Sequence, residues 1–109
     1  MTRFSAAGYE YLVAMTADAY YPPPLVAKVR AELEGLVAFL EDQPRSLDEI
    51  QARCDAITEA INGLEEEFAD AESEIETVAR DDIATTVIQI FEVYGIDLDV
   101  ETALRNREW

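Results

Sequence analysis

Apolar residues recur at alternating spacings of three and four along most of the chain, the period of helices that bury one face. Ser5 is placed to cap a first helix running to about Ala19, with Tyr9, Leu12, Val13, Thr16 and Tyr20 on one side. Pro22, Pro23 and Pro24 end that helix and begin the next, since a helix can start at a proline but cannot continue through several residues lacking an amide proton. The second helix is predicted from about Pro24 to Glu41, with a core stripe of Leu25, Val29, Leu33, Leu36 and Leu40 flanked by Val26 and Val37. After a turn at Pro44 and Arg45, Ser46 and Glu49 form a capping box, and Leu47, Ile50, Cys54, Ile57, Ile61, Leu64 and Phe68 make one sustained seam. A second box, Ser73 with Glu76, predicts the start of a fourth helix whose face carries Ala79, Ile83, Val87, Ile90 and Tyr94. Gly95 suits a left-handed stop, and Asp97 or Asp99 caps a short last helix ending near Trp109. With connections this short, the expected fold is all-α: a single domain over residues 1–109, built as an antiparallel up-and-down four-helix bundle with a short fifth, C-terminal helix.

Charge changes this picture more than composition does. Half of the residues are apolar and 29% charged, an ordinary globular balance, yet 24 acids face eight bases for a net charge of −16. Such a field repels nucleic acid and anionic membrane surfaces and attracts basic proteins and divalent cations. With no histidine, the Ser-His-Asp and Cys-His nucleophile systems and the Glu-x-x-His di-iron motif are excluded. The lone Cys54 sits in the seam and reads as a buried, inert thiol, and the compartment expected is the reducing cytoplasm. The N-terminus lacks a basic segment leading into a long apolar one, and no apolar run approaches a membrane span.

Nine of the acids, set against Arg80 alone, lie between residues 65 and 82. Glu74 and Glu76 fall in the expected first turn of the fourth helix, where the helix dipole favours anions. Glu65, Glu66 and Glu67 fall in the expected last turns of the third, where it disfavours them, and that local conflict points to a functional site. Glu66, Glu67, Asp70, Glu72, Glu74 and Asp81 are therefore the candidate partner-binding residues of an acidic corner. Glu76 shares a helical face with Ala79, Ile83 and Ile90, Arg80 follows one turn later, and Glu65 lies beside Ile61 and Phe68. These three are expected to form a partly buried polar network fixing the helix-helix register, so that Arg80→Ala destabilises more than Arg45→Ala or Arg107→Ala.

Two other arrangements suggest alternatives. Glu66, Glu67, Asp70 and Glu74 are hard oxygen donors for magnesium, manganese or calcium, as in a carboxylate enzyme of the phosphohydrolase type. The acidic spacing of helical pyrophosphohydrolases is not reproduced, and the four glycines are isolated rather than gathered in a phosphate loop. Tyr11 and Phe39 lie off the predicted core faces and offer surfaces for a homodimer.

The strings Met15–Pro22, Leu25-Val26-Ala-Lys28, Glu66-Glu67-Phe68, Ser73-Glu-Ile-Glu-Thr-Val-Ala-Arg80-Asp81, Tyr94-Gly95 and Arg107-Glu-Trp109 together resemble a family of small helical bacterial proteins known as a domain of unknown function. The resemblance runs through most of the chain in order and is most specific at Ser73–Asp81. It implies a stand-alone helical bacterial protein and no particular activity.

The expected function is that of a non-enzymatic acidic protein engaging a basic partner protein, of the inhibitor, antitoxin or immunity type or as a mimic of nucleic acid. No cofactor and no membrane is implied. The metal-dependent carboxylate enzyme and the structural homodimer stand as alternatives.

Overall fold

A computed structural model describes residues 1–109. The chain is all-helical, in the order α1 (Arg3–Ala6), α2 (Val13–Ala17), α3 (Pro23–Asp42), α4 (Leu47–Asn62), α5 (Glu65–Asp70), α6 (Thr77–Tyr94) and α7 (Val100–Ala103). Three long helices, α3, α4 and α6, carry the core, and the short ones close around them: α1 and α2 against α6, α7 against α4 and α6. No helix is long and apolar enough to cross a membrane.

The long helices begin and end where local chemistry dictates. Pro22 caps α3 with prolines in its first turn. At α4, the Ser46 hydroxyl accepts from the Glu49 amide and the Glu49 carboxylate accepts from the Ser46 amide, both at 3.1 Å. Gly95 stops α6 with φ +66°, and the Ile96 amide reaches back to the Phe91 carbonyl at 2.9 Å. Asp99 caps α7 through the Thr102 amide. The predicted stripe of α3 is buried at Leu25, Val26, Val29, Leu33, Leu36 and Val37, with Leu40 half-buried. The seam buries Ile50, Cys54, Ile57, Ile61 and Phe68, whereas Leu47 is exposed and Leu64 half-buried. Burial pushes the Cys54 thiol up to about 11, which keeps it protonated and inert.

Four boundaries differ from the sequence-based expectation; the simplest is the last helix, expected to end near Trp109, which closes at Ala103. The predicted first helix is two short ones, because the chain between them turns at Gly8 (φ +90°) and Leu12 (φ +50°). Leu12 and Phe4 are fully buried, and Tyr9 and Tyr11 stack around Phe4 at 5.7 and 4.8 Å. Phe4, Leu12 and Met15 are all fully buried on either side of this break. Val13, Thr16 and Tyr20, expected on one face with Leu12, are exposed. The result is three long helices with short segments around them, in place of the expected four long ones.

The predicted third helix is likewise divided, at Gly63 and Leu64, into α4 and α5. The fourth starts four residues after Ser73, at Thr77. Residues 73–76 precede it with alternating burial: Ser73 and Ile75 in, Glu74 and Glu76 out. That period of two turns Ile75 into the core, and it leaves the expected Ser73 capping box unformed. The Ser73 amide instead donates to the Phe68 carbonyl at 2.8 Å, closing α5 around Glu72, which takes a left-handed φ of +60°.

Candidate functional site: the acidic corner

The break at Gly63 reassigns the acids that drew attention in the sequence. Glu65, Glu66 and Glu67 occupy the first turn of α5 rather than the last turns of a long helix, so the conflict with the helix dipole disappears. Glu74 and Glu76, expected in a first turn, lie in the segment before α6, whose first turn holds no acid. The corner therefore rests on how its carboxylates are disposed, not on their helical positions.

Most of them face solvent. Glu66, Asp70, Glu72, Glu74, Glu76 and Asp81 are exposed, and Glu65 and Glu67 half-buried. Among the nine acids only Glu67 has a cationic partner, Lys28 at 2.5 Å; the remaining ion pairs of the molecule lie elsewhere. Asp82 is used internally. Its carboxylate accepts from the Met15 amide at 2.8 Å at the start of α2, and burial pushes its pKa up against the opposing pull of the amides of Met15 and Ala14. Thr86 completes this end of α2 by accepting from the Leu12 amide. Neither role is visible in sequence, because both depend on a helix break placed by tertiary packing.

The expected network of Glu65, Glu76 and Arg80 does not form. Glu76 is the exposed N-cap residue of α6, and Arg80 is exposed with no ion pair. The cause is the late start of α6: Glu76 stands before the helix, so its side chain does not follow the buried stripe of Ala79, Ile83 and Ile90. Glu66, Glu67, Asp70 and Glu74, the candidate metal ligands, do not converge either; no three acidic side chains are gathered closely enough to hold a metal ion.

Two clefts flank Arg80 and share Glu74, Ile75 and Arg80 itself. One, of about 440 Å³, adds Asp18, Tyr20, Glu76 and Val78. There the Tyr21 hydroxyl accepts from the Ala79 amide at 3.2 Å, serving the first turn of α6 in place of a side-chain cap. The other, of about 370 Å³, is completed by Glu65, Ala69, Glu108 and Trp109. Trp109 reaches this position because Asn62 holds the C-terminal strand of chain, donating to the Asn106 carbonyl at 2.9 Å and accepting from the Glu108 amide at 3.0 Å. One carboxylate oxygen of Glu65 and the indole Nε1 of Trp109 are shut off from solvent without a hydrogen-bond partner.

The largest cleft, about 740 Å³, lies between the N-terminal segment and the ends of α3 and α6. Its polar groups are tied to one another. Tyr94 donates to Glu41, the Arg3 amide donates to Glu41 at 2.7 Å, and the Arg3 guanidinium donates to the Val93 carbonyl at 2.9 Å while lying over the Tyr94 ring. The Tyr94 hydrogen bond and then the Arg3 amide hold the Glu41 carboxyl below its usual range. This set clamps α1 to the bundle.

Tyr11 and Phe39, expected to offer free aromatic surface, are both half-buried against the chain itself. Arg30 lies 5.4 Å from the Tyr11 ring centre, and partial burial followed by Glu34 pushes that phenol up to about 12. Arg45 covers Phe39 at 3.9 Å, with Arg53 at 5.6 Å.

Residues 5–109 match the model of a protein family described as "Family of unknown function (DUF5713)", and the chain belongs to that family. No curated protein and no solved structure matches the chain.

Proposed function

We propose that this protein is a non-enzymatic acidic binding protein whose corner of Glu66, Glu67, Asp70, Glu72, Glu74 and Asp81 engages a basic partner protein. The observation that carries the reading is the absence of neutralisation: of these six carboxylates only Glu67 has a cation, although the chain pairs acids with bases elsewhere. Exposed carboxylates crowded together repel one another, which costs folding stability and raises the potential seen by an approaching cation. Opposite charge on a partner relieves the first effect and exploits the second, speeding association. Glu72 adds a local argument. Its left-handed backbone favours glycine, and a carboxylate stands there instead.

Capture from a native lysate on the immobilised protein, with elution against rising salt, tests this reading. The expected result is a basic protein released by moderate salt, since screening acts over about 8–10 Å. Retention of proteins without regard to their charge contradicts it.

A further inference from the structure

The cleft between α5, the start of α6 and Trp109 holds charges of both signs that do not pair with each other. Arg80 makes no hydrogen bond through its side chain, no ion pair and no contact over an aromatic ring; no other base in the chain lacks all three. Glu65 lines the same cleft with one oxygen already out of water and unpartnered. Glu65 on α5 and Arg80 on α6 line this cleft without forming an ion pair. We propose that this cleft binds a small zwitterion of the α-amino-acid class, with its ammonium on Glu65 and Glu74 and its carboxylate on Arg80.

Several features support that ligand over simpler ones. An anion alone meets three carboxylates, Glu65, Glu74 and Glu108, and a cation alone leaves Arg80 as an unmatched like charge. A molecule carrying both charges a few bonds apart satisfies both sides. The cleft's volume of about 370 Å³ falls at the small end of ligand sites. Ala69, Ile75 and Trp109 supply the uncharged lining, so the amino acid carries an apolar side chain. Only one oxygen of Glu65 is shut off from solvent, and the other is left to accept a charge-assisted hydrogen bond from an ammonium group. The proposal stands on this cleft alone and does not depend on the basic partner.

Trp109 is the chain's single tryptophan, so its emission reports on the cleft directly. The test is calorimetric titration with each proteinogenic L-amino acid in turn, repeated by Trp109 emission for those that do not fluoresce. An apolar L-amino acid should saturate a single site. Its amide, which lacks the carboxylate, and its deaminated acid, which lacks the ammonium, should each bind about tenfold more weakly or worse. Arg80→Gln should weaken the amino acid but not its amide, Glu65→Gln should weaken the amino acid but not the deaminated acid, and Glu92→Gln, at an exposed site away from the cleft, should change none of them. No saturable signal from any amino acid overturns the proposal, as does an amide or deaminated acid binding as tightly as its parent. Wild-type affinity for the amino acid in either the Arg80→Gln or the Glu65→Gln variant overturns it too.

Discussion

Arg45 lies against the Phe39 ring at 3.9 Å, donates to the Phe39 carbonyl at 3.2 Å and to Asp42 at 3.1 Å, and leaves 13% of its side chain exposed. Arg80 has no comparable partner and faces solvent. The sequence ranks them in the opposite order, because it shows Arg80 one turn after Glu76 but cannot show that α6 starts between them. The structure therefore reverses the expected ranking. Arg45→Ala should cost about 1–3 kcal/mol through lost stacking and an orphaned carbonyl. Arg80→Ala should stay within about 0.5 kcal/mol of wild type, as surface substitutions do. Urea unfolding of both variants decides it, and a large loss at Arg80 restores the buried network. Glu72 yields a second prediction at this scale. A non-glycine residue at φ +60° is strained, so Glu72→Gly should stabilise the fold by about 0.5–1 kcal/mol after the glycine's added freedom in the unfolded chain is allowed for. A loss of stability would mean that the Glu72 side chain makes a contact outweighing the strain.

At the scale of elements, legibility followed the strength of the local signal. The Pro22–Pro24 run, the Ser46–Glu49 box and Gly95 act through their own backbones, and each marks a boundary close to where the sequence puts it. The α3 stripe and most of the α4 seam follow from periodicity alone. The misplaced boundaries are those that tertiary packing decides. The first helix is broken at Gly8 and Leu12, where Thr86 and Asp82 of α6 receive the Leu12 and Met15 amides, and burial of Ile75 keeps residues before Thr77 out of α6, although Ser73 and Glu76 have the spacing of a capping box. The late start of α6 dissolved the polar network and the break at Gly63 changed the local setting of Glu65–Glu67, while the concentration of acid was already legible as a count along the chain. The cleft shared by Glu65 and Trp109 was not legible, since the C-terminal residues are brought there by the Asn62 contacts. Packing of the long helices has a direct measure. Ile57 is 3% exposed within the core, and Ile57→Ala should cost about 2–5 kcal/mol in urea unfolding. A loss below 1 kcal/mol, at the order of magnitude of a surface change, would place that side of α4 outside a packed core.

On the scale of the whole molecule, a net charge of −16 sets both stability and association. Sodium chloride should raise the melting temperature by screening repulsion among the acids, over about 10 Å at 0.1 M. Magnesium at matched ionic strength should raise it no further, because no three acidic side chains are gathered for a cation; a larger rise would reveal specific binding to the native state. The central claim, that the corner's exposed carboxylates engage a basic partner, is separable from net charge by position. Glu66, Glu67, Asp70, Glu72, Glu74 and Asp81 are changed together to their amides in one variant. In a second, the same number of exposed carboxylates is changed on other faces, Glu10, Glu59, Glu92 and Asp97 among them. The most direct measurement is the affinity of wild type and both variants for the salt-released partner, taken as a function of salt concentration. The corner variant should lose affinity and most of its salt dependence, while the second variant keeps both. Equal losses in the two variants would contradict it, since the partner would then be reading total charge and not this corner.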